Sequence, residues 1–146
     1  MRVSSTQPYP DLEAGLIEWA SGHPDLSSPD PATKYRHVGD ELPSRYRTEG
    51  RLPFLEISVR GGREDGVTWF AETEFFIFSP DREQARNVLA DVFAKLGVYP
   101  RNFGGISVDE VQVTVYPRRS KNQEPDDATF CYSGEAIISL RRQKGN

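Results

Sequence analysis

Two histidines and two glutamates are the residues of this sequence best suited to acid–base chemistry. His23 and His37 are its only histidines. Glu72 and Glu74 alternate along a predicted strand, so both carboxylates lie on one face. A cleft that brought a histidine within hydrogen-bond reach of them would suit a small hydrolase-like enzyme. Surface or capping roles explain the histidines better, since both lie in predicted loops, and a solvent-facing stripe or an oligomer lining explains the glutamates better.

Metal and cofactor chemistry find little support in the residue types. Zinc sites use several Cys or His ligands at close spacing, whereas this chain has one cysteine, Cys131, and two distant histidines. The glycine pairs at 61–62 and 104–105 do not follow a strand and open a helix, as a phosphate-cradling loop requires. We expect no catalytic residue, no cofactor and no metal, and we expect Cys131 to behave as a small apolar residue in a reducing compartment.

Two basic clusters remain as candidates for contacts with other molecules. Their side chains can meet phosphates or pair with carboxylates of a neighbouring subunit, although a solvated charged loop is the plain alternative. An acidic chain with basic loops indicates complementary patches more than general nucleic-acid binding. The clusters comprise Arg45, Tyr46, Arg47 and Arg51 in the first case, and Arg118, Arg119 and Lys121 in the second.

Length and charge narrow the class of protein. The 146 residues suit one domain, 1–146, with a core of its own. A formal net charge of -4 and a sequence pI near 5.2 argue against a dedicated DNA or RNA binder, although a nucleic-acid-binding module acting through the arginine loops stays an alternative. No run approaches the roughly 20 apolar residues of a membrane span, and the N-terminus lacks the apolar core of a signal peptide. We expect synthesis in the cytoplasm.

The elements that position these residues follow from apolar periodicity. Six apolar residues between positions 85 and 96 recur at helical spacing and predict a helix that Ser79 caps, with Pro80 in its first turn and Gly97 at its end. Asp11 caps a shorter helix before Gly22. Alternation predicts strands at 54–60, 67–78, 111–116 and 130–141, with 61–66 as a hairpin turn and Gly134 as a bulge or a point of close approach.

The order of these elements predicts an α+β fold. We expect a mostly antiparallel sheet with two helices packed on one face, and a long polar arm between the first helix and the sheet. The arm spans 25–51, holds a brief strand near 34–38, and is a candidate contact region because loops of that length are functional or disordered. We expect a loop at 99–105 and a protruding loop at 117–129, which has a basic half and an acidic half.

The whole pattern resembles the tail terminator or tail completion family of long-tailed bacteriophages. The resemblance covers 11–142 and rests on element order and apolar pattern. It consists of an N-terminal helix, a polar stretch, LPFLEISVRGGRED, the strand-to-helix join FFIFSPDREQARNVLADVFAKL, a strand of alternating valines and the closing YSGEAIISLRR. The long segments 25–51 and 117–129 depart from the family pattern and leave the docking faces open.

The resemblance implies a structural virion protein rather than an enzyme. Such a protein forms a homohexameric ring at the tail–neck junction, caps the head-proximal end of the tail tube and joins it to a neck or head completion protein. Strand edges with Trp69, Phe70 and Phe76 would supply interface together with the basic clusters. DNA would pass through the lumen without sequence-specific binding, along acids such as Glu72 and Glu74. A head-tail connector or neck completion protein, or a tail tube subunit, is the structural alternative.

Overall fold

A computed structural model describes residues 9–27, 37–44, 46, 52–98 and 102–141. Two helices lie in this part of the chain, α1 at Leu12–Ala20 and α2 at Arg82–Leu96. The strands are β1 (Val38–Gly39), β2 (Phe54–Glu64), β3 (Thr68–Ser79), β4 (Asn102–Phe103), β5 (Ile106–Ser107), β6 (Glu110–Arg119) and β7 (Phe130–Arg141), with a 3₁₀ turn at Lys121–Gln123.

Five of the strands form one sheet in the order β1-β2-β3-β7-β6. Every neighbouring pair is antiparallel except β1 and β2, which are parallel. The buried residues of α1 and α2 share a single core with the inward-facing residues of β2, β3 and β7, so both helices pack on the same face of the sheet. The predicted α+β class, with a mostly antiparallel sheet and two helices on one face, is confirmed.

The start of α2 differs from its prediction. The N-cap is Asp81, whose carboxylate accepts from the backbone amides of Glu83 at 3.0 Å and Gln84 at 3.2 Å. Ser79 remains the last residue of β3, and its hydroxyl accepts from the amide of Asp81 at 3.0 Å. The prediction that Ser79 caps α2 was therefore wrong. Pro80 lies before the helix rather than in its first turn. The helix ends at Leu96, with Gly97 as its C-cap.

The buried stripe of α2 packs directly onto the sheet. The ring of Phe93 meets Phe75 of β3 edge-on, with centroids 5.2 Å apart. Below it, Gly134 of β7 leaves room for the ring, because a Cβ there would lie 2.5 Å from Phe93 Cζ. Gly134 is thus a point of close approach. The stripe is the predicted one, comprising Ala85, Val88, Leu89, Val92, Phe93 and Leu96.

Helix α1 is held by its cap and by a short hairpin. The carboxylate of Asp11 accepts from the amide of Ala14 at 3.1 Å, as predicted. The β4–β5 hairpin crosses the helix closely. Its Gly104 has φ +60°, and a Cβ there would lie 2.7 Å from the carbonyl oxygen of Gly15. The predicted loop at 99–105 is therefore partly a hairpin, while 99–101 lie outside the described residues.

The β2–β3 hairpin is longer than predicted. Strand β2 continues through the glycine pair to Glu64, because a register shift between Arg60 and Gly62 lets it keep pairing with β3. Gly62 has φ 110°, which a side chain would strain. The turn lies at 65–67, where the carboxylate of Asp65 accepts from the amides of Val67 and Thr68; these two bonds lower its pKa.

The described part of the polar arm folds onto the sheet. Strand β1 pairs with the start of β2, later in the chain than the brief strand predicted near 34–38, of which 34–36 lie outside the described residues. Tyr46 is 6% exposed and packs with Phe54, Phe78 and Cys131, and Leu42 lies against the same group. The described residues 37–44 and 46 thus cover one end of the sheet instead of extending away from it.

The segment 117–129 is partly strand and partly anchored loop. Its first three residues continue β6. The guanidinium of Arg119 donates to both oxygens of Glu124, at 2.9 and 3.2 Å. Glu124 also accepts from the amide of Cys131 at 3.2 Å, and the amide of Ser120 donates to the Cys131 carbonyl at 2.8 Å. These bonds tie the base of the loop to the start of β7.

Candidate interaction surface

The open face of the sheet is the one opposite α1 and α2. It carries alternate residues of β2, β3, β7 and β6 whose neighbours along each strand point into the core. Leu42 and Tyr46 cover the end of this face that holds Phe54 and Phe78. In the part of the chain that the structure describes, no helix covers the remainder. Among the described residues, the open face is thus mostly uncovered.

Negative charge accumulates in the middle of the open face. Glu74 of β3 lies directly opposite Glu135 of β7, and Glu72 is one row further along. Arg60 lies across from Glu72, and its NH2 group is 3.5 Å from a carboxylate oxygen of Glu74. Neither Glu72 nor Glu135 has an ion pair with any other described residue. Three carboxylates and the guanidinium of Arg60 thus lie at the centre of the face, and the facing carboxylates of Glu74 and Glu135 repel each other.

A fourth carboxylate, that of Glu56, lies partly buried at the covered end of the open face. Glu56 accepts from the amide of Leu42 at 3.1 Å. Desolvation raises the pKa of Glu56 above its usual range, and the nearby charges of Glu41, Asp40 and Glu74 raise it further against the lowering effect of the Leu42 bond. The pKa of Glu56 is thus raised mainly by its burial, and Glu41 and Asp40 contribute further negative charge beside it.

The three aromatic candidates divide between the two faces of β3. Phe70 is on the open face, with the guanidinium of Arg63 4.2 Å from its ring centroid. Phe76 is on the same face and packs against the cluster that contains Tyr46 and Phe54. Trp69 points the other way; its indole N–H donates to the Gly61 carbonyl at 2.9 Å. Trp69 therefore does not join the other two in a single patch.

The basic clusters are dispersed. Arg45, Arg47 and Arg51 lie outside the described residues. Tyr46 was predicted to be an interface residue. It is instead buried in its own chain, because Phe54 and Phe78 offer an apolar site for its ring, so the prediction of an exposed contact was wrong.

The second cluster has two exposed members and one paired member. Arg118 and Lys121 are exposed. Arg119 pairs with Glu124, and its guanidinium lies 5.0 Å from the centroid of the Phe130 ring. Its side chain is therefore less exposed than those of Arg118 and Lys121. The hydrogen bonds from Arg119 lower the pKa of Glu124. Arg118 and Lys121 are thus the two cations of this cluster positioned to meet a partner.

The acid–base candidates are not brought together. His23 Nδ1 accepts from the amide of Asp25 at 3.0 Å, which leaves Nε2 to face Asp91 Oδ2 of α2 at 3.2 Å. His37 Nδ1 lies 2.8 Å from the Pro53 carbonyl oxygen. Neither contact involves Glu72 or Glu74.

Two clefts lie on the side of the sheet that carries the helices. One, of about 570 Å³, is lined by residues at the start of α2 and by Tyr132, whose hydroxyl accepts from Arg82 Nε at 3.1 Å. The other, of about 160 Å³, lies beside His23 between the two helices. Neither is lined by a glutamate of the open face. Within the described ranges there is no group of three or more His, Cys, Asp or Glu residues that could hold a metal ion.

Cys131 lies in the core beneath the covered end of the open face. It is fully buried, and burial raises the pKa of its thiol to about 12. The thiol is protonated at neutral pH and behaves as the small apolar group that the sequence predicts.

Several charged residues on this surface escaped the sequence analysis. Glu135 alternates correctly in β7, but its position opposite Glu74 depends on the pairing of strands far apart in the chain. Arg63 and Glu110 lie at opposite edges of the sheet for the same reason. The strand period indicates the face of Glu135, whereas Arg63 and Glu110 fall outside the predicted strands; only the register reveals the neighbours of all three.

No helix of the described residues is both long and apolar enough to cross a membrane. No protein-family model matches the chain, and comparison with curated proteins gives no match either.

Proposed function

We propose that this chain is a structural virion protein that forms a ring at the junction of a phage tail and its neck. In this role it caps the head-proximal end of the tail tube, stops further tube growth and joins the tube to a neck or head completion protein. The chain works by contact and without catalysis. The proposal follows from the resemblance of its sequence pattern to the tail terminator family.

One observation carries the proposal beyond that resemblance. In the described part of the chain, one face of the sheet is packed with helices, and the second face is uncovered over most of its length and carries carboxylates at its centre. A wall for passing DNA needs such a face, because carboxylates do not retain phosphates and the sheet holds them in fixed positions. Glu72 and Glu74, with Glu135 between β3 and β6, supply that charge at its centre.

The surroundings of the histidines also favour a structural role. An enzyme of the kind weighed from the sequence would need an imidazole to reach the glutamates of the open face. His23 is instead engaged between the helices, and His37 contacts a backbone carbonyl at the start of β2. These contacts fasten elements to one another.

A tube-capping assay tests the proposed function. Purified protein is added to growing tail tubes of its own phage, and tube lengths and ends are imaged by negative-stain electron microscopy. We expect elongation to stop and a ring-shaped cap to be seen at one end of each tube. Tubes that grow unchanged and carry no added density would refute the proposal.

Loss of the gene separates this function from its structural alternatives. Overlong tubes without heads would identify a terminator. Tails of normal length that fail to attach heads would identify a neck completion protein, and loss of tubes altogether would identify a tube subunit. We expect the first outcome.

A further inference from the structure

The two edges of the sheet carry opposite arrangements of charge. One edge is formed by β1 and the outer side of β2, and the other by β6. Glu56 and Arg118 belong to the same cross-strand row, at opposite ends of it. Arg63 and Glu110 likewise terminate another row, near the far end of the strands. At these two levels of the sheet, an acid on one edge thus corresponds to a base on the other.

Further charges strengthen the pattern at the covered end. Asp40 and Glu41 follow β1 directly, are exposed, and lie close enough to Glu56 for their charges to raise its pKa. On the opposite edge at this end, Arg118 and Lys121 are both exposed. One edge therefore carries three clustered acids near this row, and the other carries Arg118 in the row and Lys121 just beyond the end of β6.

Strand directions allow the two edges to meet in a repeating contact. Because β2, β3, β7 and β6 are antiparallel in succession, β6 runs opposite to β2. Rotation of a copy about an axis along the strands preserves these directions, so β6 of one copy lies antiparallel to β2 of the next. Such a contact joins different surfaces of the two copies and closes into a ring when the rotation divides a full turn.

Continuous backbone pairing across the contact is blocked at several points. The amide of Val59 on β2 already donates to a carboxylate oxygen of Glu13 at 3.0 Å. On β6, Pro117 has no N–H, and two register irregularities lie between Val113 and Arg118. These features protect both edges from indiscriminate strand addition. Recognition between copies would therefore depend on the side chains at the two ends of the edges.

We infer that the partner of the β6 edge is a second copy of this chain, which offers its β1–β2 edge. In this contact Arg118 and Lys121 face the acids Asp40 and Glu41, while Glu110 faces Arg63. The inference rests on the proposed ring and specifies which surfaces build it. The open faces of successive copies then continue into one another and form a single inner wall.

Charge reversal of each edge separately tests the contact. Variant A reverses the β6 edge, and variant B reverses the β1–β2 edge; Glu56 is left unchanged because it is partly buried and bonded to Leu42. A control makes the same kinds of charge change as variant A on the outer side of α2. Variant A is Glu110→Lys, Arg118→Glu and Lys121→Glu; variant B is Asp40→Lys, Glu41→Lys and Arg63→Glu; the control is Glu83→Lys, Arg86→Glu and Lys95→Glu.

Self-association is measured by native mass spectrometry and sedimentation velocity up to about 1 mM protein, after circular dichroism has shown that each variant is folded. We expect A and B alone to associate about 100-fold more weakly than the wild type, because each then opposes like charges. The control should associate as the wild type does. An equimolar mixture of A and B should restore assembly, since A matches B at both edges, and its rings should contain equal numbers of the two.

The outcomes separate this contact from the proposed function. Assembly of A or B alone at wild-type strength, failure of the mixture to assemble, or equal weakening of the control would overturn the edge contact. A wild-type protein that stays monomeric throughout this concentration range would overturn it as well. The proposed function is judged independently, by whether the wild type caps tail tubes.

Discussion

Replacement of Gly134 by alanine probes how tightly α2 is seated on the sheet. The added Cβ would lie 2.5 Å from Phe93 Cζ and 3.0 Å from both Cε atoms. Carbon atoms pack at about 3.5 Å, so the ring must move by about 1 Å. Phe93 cannot swing freely, because it lies edge-on against Phe75 and is 7% exposed. We expect Gly134→Ala to lower the free energy of unfolding by about 1–3 kcal/mol, as overpacked cores do.

Urea denaturation followed by circular dichroism measures this loss, which corresponds to a Tm lower by about 3 °C per kcal/mol in a domain of this size. Gly97→Ala is the matched control. No atom lies within 4 Å of its added Cβ, and its φ of -92° suits any residue. The control should therefore change stability by less than about 0.5 kcal/mol.

A double-mutant cycle assigns the loss to the Phe93 ring. Phe93→Leu removes the three ring atoms that the new methyl would meet, so Gly134→Ala should cost little in that background. We expect a coupling of about 1–2 kcal/mol between the two sites. A Gly134→Ala protein as stable as the wild type, or an equal loss in both backgrounds, would refute the packing of α2 over β7 described above.

Three further predictions concern the supporting structure. Gly104→Ala should lose about 2 kcal/mol or more, because it combines positive φ with a Cβ against the Gly15 carbonyl, whereas Gly105→Ala, with positive φ and open space, should lose less in the same urea titrations. Folding raises the pKa of Glu56, so its contribution to stability falls as pH rises through that pKa; Glu56→Gln should gain relative to the wild type as the pH rises above the usual titration range of a glutamate, and a difference constant with pH would contradict this. The Cys131 thiol should react with a disulfide reagent only as fast as the protein unfolds, and rapid reaction of the folded protein would show that it is accessible.

Local patterns predicted the elements of this fold well. The buried stripe of α2, the Asp11 cap of α1 and the extent of β7 all follow from side-chain period and capping chemistry, which act over a few residues. The placement of Glu72 and Glu74 on one face follows from the strand period alone.

Features set by distant pairing could not be predicted in this way. Ser79 has the chemistry of a helix cap, but it pairs with Phe130 of β7 and therefore stays in the sheet. The two glycines after Arg60 look like a turn, yet a bulge keeps them in β2. Tyr46 lies among arginines in the sequence, but it is buried, because the end of the sheet offers an apolar surface for its ring. The charge pattern of the two edges likewise requires the strand order.

Imaging of the wild-type protein bound to tail tube ends tests the proposed role most directly. Averaged cryo-electron microscopy images should show a closed ring of six copies, about 99 kDa at six times 16.5 kDa each, with the open face of every sheet toward the channel. Tube ends without a ring, or a ring whose helices line the channel while the glutamates of the open face point outward, would contradict it.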